Sequence, residues 1–283
     1  MTGVLAGALG LLVGLVIGTL GGGGGVLAVP ALVYALGQDA RTATTGSIVI
    51  VGIISAVGVL ARLRGRTIDW RTGLGFGVVG VPTAWAGSLL NRAVPQPLLL
   101  LSFAALTLLI AVLMLVRGPS ADQRTGGADI SPGSADGGSG VPPVAGVTVV
   151  LEARTRRRAR VRRIAKIVGA GSVVGFLTGF LGVGGGFLVV PALTMLLGLS
   201  MPAAVGTSLL VLTVNSLSST VARIGHLDPD WAVIGPFAAV AVLGALGGKL
   251  VADRMSGAAL NRTFAGLLVV VGLFVGVQSL LAL

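Results

Sequence analysis

The sequence predicts an all-α, polytopic integral membrane protein made of two inverted-topology repeats with glycine-broken helices. Three observations carry that expectation. The 283-residue chain is 54% hydrophobic and 10% charged, with mean hydropathy +1.00, whereas soluble domains carry about 25% charged residues. Apolar segments of roughly 15 to 20 residues recur along it, close to the ~20 that a helix needs to cross a bilayer, without the alternation of a membrane β-barrel strand. The chain also repeats itself. Between Gly14 and Gly37, fourteen of twenty-four positions are identical to Gly175–Gly198.

The repeat holds one register through its polar loops. It pairs Ser47 with Ser208, Arg62 with Arg223, Asp69 with Asp230, Trp70 with Trp231, Phe76 with Phe237, Gly87 with Gly248 and Phe103 with Phe264. Residues 1–117 form the first membrane repeat, 118–165 a flexible and then basic linker, and 166–283 the second repeat. Each repeat holds five apolar pieces. The first, 3–20, lacks a basic leader and runs straight into glycines, so it reads as a membrane helix rather than a cleaved signal. The second, 26–37, spans about 18 Å as helix and is too short to cross alone. Pieces 47–61, 73–90 and 97–116 follow. Their counterparts are 167–181, 187–199, 207–222, 231–251 and 264–283. Asp69–Trp70 and Asp230–Trp231 each open a helix, with Asp as its cap and Trp as an interface anchor.

Between the repeats, Gly118–Gly146 is rich in Gly, Pro, Ser and Asp and reads as disordered. Arg154–Lys166, "RTRRRARVRRIAK", reads as a basic segment on an anionic cytoplasmic leaflet rather than a nucleic-acid tract. The net charge is +11 and 18 of the 20 basic residues are Arg, which first suggests cytoplasmic loops. Arg62, Arg64, Arg66 and Arg71 put loop 62–71 in the cytoplasm. Its counterpart, 223–230, has Arg223 against Asp228 and Asp230 and reads as external. The next loops reverse: 91–97 holds only Arg92, while 249–262 holds Lys249, Arg254 and Arg262 against Asp253. Equivalent loops then lie on opposite sides, so the repeats are inverted, as in many carriers. Both termini are expected outside.

The glycine clusters are the candidate site. Gly21–Gly25 and Gly184–Gly186 interrupt apolar runs, and each glycine costs a helix roughly 1 kcal/mol relative to alanine. Unwound backbone at membrane depth survives only inside protein or beside a water-filled cavity. Each cluster is expected to end one helix and start a short one, near Val26 and Phe187. The free N–H groups and positive end of the new helix would then face the break as an anion site. Backbone donors are expected from Gly23, Gly24, Gly25, Gly184, Gly185 and Gly186. Pro30 and Pro191 predict kinks. Scattered glycines such as Gly73, Gly75, Gly77, Gly80, Gly244, Gly247 and Gly248 read as close-packing positions.

Further polar contacts are expected from Ser47, Thr207, Ser208 and Asn215. Ser208, Asn215 and Ser219 share one helical face, although about half of the Ser and Thr hydroxyls should bond their own backbone. Ile54 stands where the second repeat has Asn215, so the cavity is expected to be asymmetric. Lys249, Arg92, Asp39 and Arg41 read as loop or interface residues, leaving no buried cation.

The string "GFLTGFLGVGGGFLVVPALTMLLGLSMPAAVGTSLL" (Gly175–Leu210) and its first-half twin "GTLGGGGGVLAVPAL" (Gly18–Leu32) resemble the sulfite exporter and anion permease family of the TauE/SafE type. The first half departs at Gly22, where the twin has Val183, and at Arg41–Ser47. The resemblance implies a carrier for sulfur oxyanions or organosulfonates, such as sulfite or sulfoacetate, in the plasma or inner membrane.

With no cysteine and one histidine, His226, no metal site is expected. Cofactors and catalytic residues are also not expected. An intramembrane hydrolase would use Ser208 or Ser47 with His226, but His226 falls in a loop and the "GTSL" at Gly206 is not a nucleophile elbow. An anion channel or a non-transporting assembly subunit stays open as an alternative, as does a homo-oligomer. The partners expected are a small anion and the lipid bilayer.

Overall fold

The structure is a computed structural model that describes residues 2–22, 27–28, 40–65, 67–91, 94–117, 145–181, 186–221 and 231–281. The described residues are helical, with no strand among them. In chain order the helices are α1 (Thr2–Leu20), α2 (Ala40–Arg62) with a 3-10 turn at Leu63–Gly65, α3 (Trp70–Asn91), α4 (Gln96–Arg117), α5 (Ala145–Leu181), α6 (Gly186–Met195), α7 (Met201–Val221), α8 (Trp231–Arg254) and α9 (Gly257–Leu281). Among the described residues, seven helices are long and apolar enough to cross a membrane. The ten residues of α6 reach only about 15 Å and cannot.

Several helices start earlier than their apolar stretches. The polar turns "ARTATTG" and "MPAAVG" belong to α2 and α7, since Ala and Thr are acceptable helix formers and Pro is tolerated in a first turn. The basic tract is the N-terminal continuation of α5 and not a separate segment. It holds no Pro or Gly between Arg154 and Ala165, so nothing stops the helix. α6 runs through Pro191 to Met195, and beyond it Gly198, with φ of 69°, lets the Leu199 N–H close back on the Leu193 carbonyl at 3.1 Å, a glycine-dependent helix stop.

The surface is inverted relative to a soluble protein. Large apolar side chains stand outside, with Val116 77% and Trp85 69% exposed, while Ser55, Thr72, Thr107, Thr207 and Ser208 are buried. That distribution suits a lipid surround, where polar groups must be satisfied internally. Several buried hydroxyls bond the carbonyl one turn back, as in Ser55 to Val51 at 2.6 Å and Thr107 to Phe103 at 2.7 Å.

Two helix pairs make the frame. α1 packs on α8 and α5 on α3, in both cases parallel and backbone to backbone. A Cβ on Gly10, Gly14 or Gly18 would run into the carbonyls of Phe237, Ala241 and Ala245. A Cβ on Gly171, Gly175 or Gly179 would meet those of Phe76, Gly80 and Ala84. Each contact in one pair is the repeat equivalent of a contact in the other. Gly248 against Leu15 and Gly87 against Phe176 extend the match. Gly247, by contrast, has nothing within 4 Å of its missing Cβ. Between the frames, α7 runs antiparallel to its equivalent α2, with Gly58 facing Leu209 and Gly52 facing Ser216. It runs parallel to α3, with Gly73 facing Leu210 and Gly77 facing Val214. Likewise α9 runs antiparallel to its equivalent α4: Gly272 faces Leu108, Gly276 faces Ala104, and the Asn261 amide donates to the Met114 carbonyl at 3.1 Å.

Candidate functional site

A helix ends just before each glycine cluster. α1 ends at Leu20, and Gly21 turns the chain with φ 78°, a value that L side chains rarely adopt. Its N–H still closes the last turn on the Ile17 carbonyl at 2.9 Å. In the second repeat α5 ends at Leu181 and α6 begins at Gly186, one residue before the expected start. Leu27 and Ala28 are helical in the first repeat.

The two interruptions meet. Gly22 lies so close to Gly186 that a Cβ on it would overlap the Gly186 carbonyl. A Cβ on Gly186 would stand 2.6 Å from Leu212 Cδ2 and 3.0 Å from the Gly22 carbonyl oxygen. A Cβ on Gly21 would stand 2.5 Å from Ser208 Oγ. One face of α7 therefore passes both breaks, touching the first at Ser208 and the second at Leu212. Asn215 lies one turn further on that face, and its Oδ1 is buried without a hydrogen-bond partner. Phe187, the second residue of α6, is fully buried and sets its ring edge-on to Phe103 of α4, centroids 5.1 Å apart. That contact fixes where the N-terminus of α6 sits.

The expected site residues divide accordingly. Gly186, Ser208 and Asn215 lie along this crossing. Ser208 Oγ donates to the Val205 carbonyl at 2.8 Å, so its proton would have to swing to serve a ligand. Thr207 looks away: its Oγ1 accepts the Asp69 N–H at 3.1 Å, which ties α7 to the loop before α3. Ser47 is buried in α2, 6% exposed, five residues before Gly52, which faces Ser216 well along α7 from Ser208. Gly23, Gly24, Gly25, Gly184 and Gly185 lie outside the described residues, as do His226, Asp39 and Arg92.

Two residues that sequence reasoning missed hold the carbonyl ends of the broken helices. The last carbonyls of a helix lack intrahelical partners and carry the negative end of its dipole. Arg62, at the end of α2, donates to the Gly18 carbonyl of α1 at 2.5 Å. Asn91, at the end of α3, donates to the Phe180 carbonyl of α5 at 2.6 Å. Arg62 was expected among the exposed cytoplasmic loop arginines; it is 5% exposed. This corrects the expectation of a bundle without a buried cation. Its place next to Arg64, Arg66 and Arg71 in sequence hid it.

Asp69 caps α3 as expected. Its Oδ1 accepts the Thr72 N–H at 3.1 Å and its Oδ2 accepts the Thr72 hydroxyl at 2.8 Å. Arg163 of α5 pairs with the same carboxylate at 2.5 Å. Burial alone would raise the Asp69 carboxyl. The N–H and hydroxyl of Thr72, the Arg163 charge and the Arg71 N–H outweigh it and hold the group below the usual carboxylate range. Asp230 lies outside the described residues. Lys249 pairs with Asp253 at 2.6 Å, one turn along α8.

The sulfite exporter TauE/SafE family model matches residues 6–275. A probable membrane transporter protein of Xylella fastidiosa (strain 9a5c) is 30% identical over 272 residues, covering 94% of this chain and 92% of that one. The probable membrane transporter protein YunE of Bacillus subtilis (strain 168) is 27% identical over 272 residues, covering 93% and 89%. No solved structure matches the chain. On the extent of the family match, the chain belongs to the sulfite exporter TauE/SafE family of membrane transporters.

Proposed function

We propose that the protein is a carrier for small anions, sulfur oxyanions or organosulfonates such as sulfite or sulfoacetate, working by alternating access in the plasma or inner membrane. One observation carries the reading: Gly22 meets Gly186 at the start of α6, beside Gly21 and Ser208. The first N–H groups of α6 have no intrahelical acceptor, and its positive dipole end favours negative charge. Gly184 and Gly185, with Gly23 to Gly25, extend the backbone donors. Thr207, which accepts the Asp69 N–H, braces α7 next to Ser208. Support for the substrate class comes from the family's description as sulfite exporters.

The antiparallel pairing of equivalent helices, α2 with α7 and α4 with α9, supports an inverted relation between the halves, which suits exchange of access between two sides. The linker, 118–165, is placed in the cytoplasm, with its basic stretch against anionic lipid and without a nucleic-acid partner.

Reconstitution into liposomes tests the function. Labelled sulfite or sulfoacetate uptake should saturate and show counterflow when the vesicles are preloaded with the same anion. Flux that is linear in concentration and lacks counterflow would identify a channel, and no flux of any anion would defeat the transport reading.

A further inference from the structure

We infer that Arg62 is the cationic contact for the transported anion, placed on the α1 side of the glycine crossing. This rests on the anion-carrier reading above and names the residue that bears its charge. Arg62 is buried, and one of its terminal nitrogens is spent on the Gly18 carbonyl. The other, Nη1, is buried with no partner. Capping α1 explains the first nitrogen and leaves the second without a purpose. A buried donor without an acceptor is a costly arrangement, and it persists here in a guanidinium, whose planar fork suits oxyanions.

The position fits the proposed ligand. Gly18 precedes Gly22 by four residues across the end of α1 at Leu20, and Gly22 touches the first residue of α6. The guanidinium also offsets the negative end of α1, which would otherwise repel an anion drawn to the positive end of α6. The surrounding charge is incomplete. Asp253 is the carboxylate whose field reaches Arg62, yet it is already paired with Lys249. Among these three groups two cations face one carboxylate, and a bound anion supplies the missing negative charge. At the end of α5 the neutral Asn91 caps the Phe180 carbonyl; Arg223, the repeat equivalent of Arg62, lies outside the described residues.

The test compares wild type with R62K, R62Q and D253N in two assays: sulfite uptake into proteoliposomes, and the rise in unfolding temperature of purified protein with sulfite, sulfoacetate or acetate. R62Q should raise the KM for sulfite about tenfold or more, the loss expected for one charge-assisted hydrogen bond. R62K should recover most of it. D253N should lower KM, because Arg62 then loses a competing carboxylate.

An unchanged KM in folded R62Q overturns the proposal and leaves the carrier reading intact. If R62Q does not fold, D253N decides: an unchanged or raised KM overturns the proposal, and a lowered one supports it. An Arg62-dependent thermal shift in a wild type that moves no anion keeps the site and defeats the carrier. A wild type that neither binds nor moves any of these anions overturns both.

Discussion

Whether a glycine in this bundle is indispensable depends on what faces its missing Cβ. At Gly14 that space is occupied by the Ala241 backbone, which cannot swing aside, so Gly14→Val should separate α1 from α8. Overpacking of this kind costs about 1 to 3 kcal/mol and should appear as a lower unfolding temperature in detergent. Gly247 lies inside a helix with open space around it, so Gly247→Ala should stabilise by about 0.5 to 1 kcal/mol. On sequence, Gly247 groups with Gly244 and Gly248 as packing positions, yet only the last two face backbone of another helix. Asn215 makes a sharper case. Its buried Oδ1 is unpartnered, so Asn215→Ile, which copies Ile54 of the first repeat, should unfold at an equal or higher temperature. If Asn215 serves the anion, the same variant should lose most of the sulfite-induced thermal shift. A full shift in Asn215→Ile would mean that its amide plays no part in binding. The polar face of α7 was legible from spacing. The burial of Arg62 was not, because it depends on the Gly18 carbonyl of another helix.

At the scale of elements, the helix ends at Leu20 and Leu181 were legible because a run of glycines conflicts with helix propensity. The ends of helices were read less well: an apolar count stops where hydrophobicity stops, while α2 and α7 extend through Thr, Ala and Arg or Pro that remain compatible with a helix. The Asp69 cap joins three elements, since the same residue caps α3, pairs with Arg163 of α5 and gives its N–H to Thr207 of α7. The group's folded value lies below its unfolded one, so its stabilisation is fully present above the unfolded carboxylate range, near pH 4. It is lost as pH falls through the lower folded value. Unfolding temperature should therefore drop for wild type as pH falls below about 4, and drop less steeply for Asp69→Asn. At neutral pH the Arg163 partner is largely exposed, so Arg163→Gln should cost no more than about 1 kcal/mol. Equal acid sensitivity in wild type and Asp69→Asn would mean that another carboxylate controls it.

For the whole molecule, helix directions and loop charge give two separate accounts of orientation. The charge account puts loop 62–71, the linker and loop 249–262 in the cytoplasm. It therefore sends α3 and α5 outward together and α8 inward. The packing account needs no charges. It makes α3 parallel to α5 and α7, α1 parallel to α8, and α2 antiparallel to α7. The two accounts can be compared at α3 and α5, which both make parallel. The chain has no cysteine, so single-cysteine variants report one position each. Arg64→Cys, Ser200→Cys and Ser256→Cys, all at exposed positions, should react with an impermeant maleimide only from the cytoplasmic side, and Pro95→Cys only from outside. Arg64 and Ser200 form the decisive pair, because they precede the parallel helices α3 and α7 while occupying non-equivalent places in the two repeats. If they label from opposite sides, those two helices do not both span in the direction their packing requires, and the inverted arrangement fails with them. If they label from one side, and that side is the outside, the packing stands and the arginine count has misassigned the membrane face.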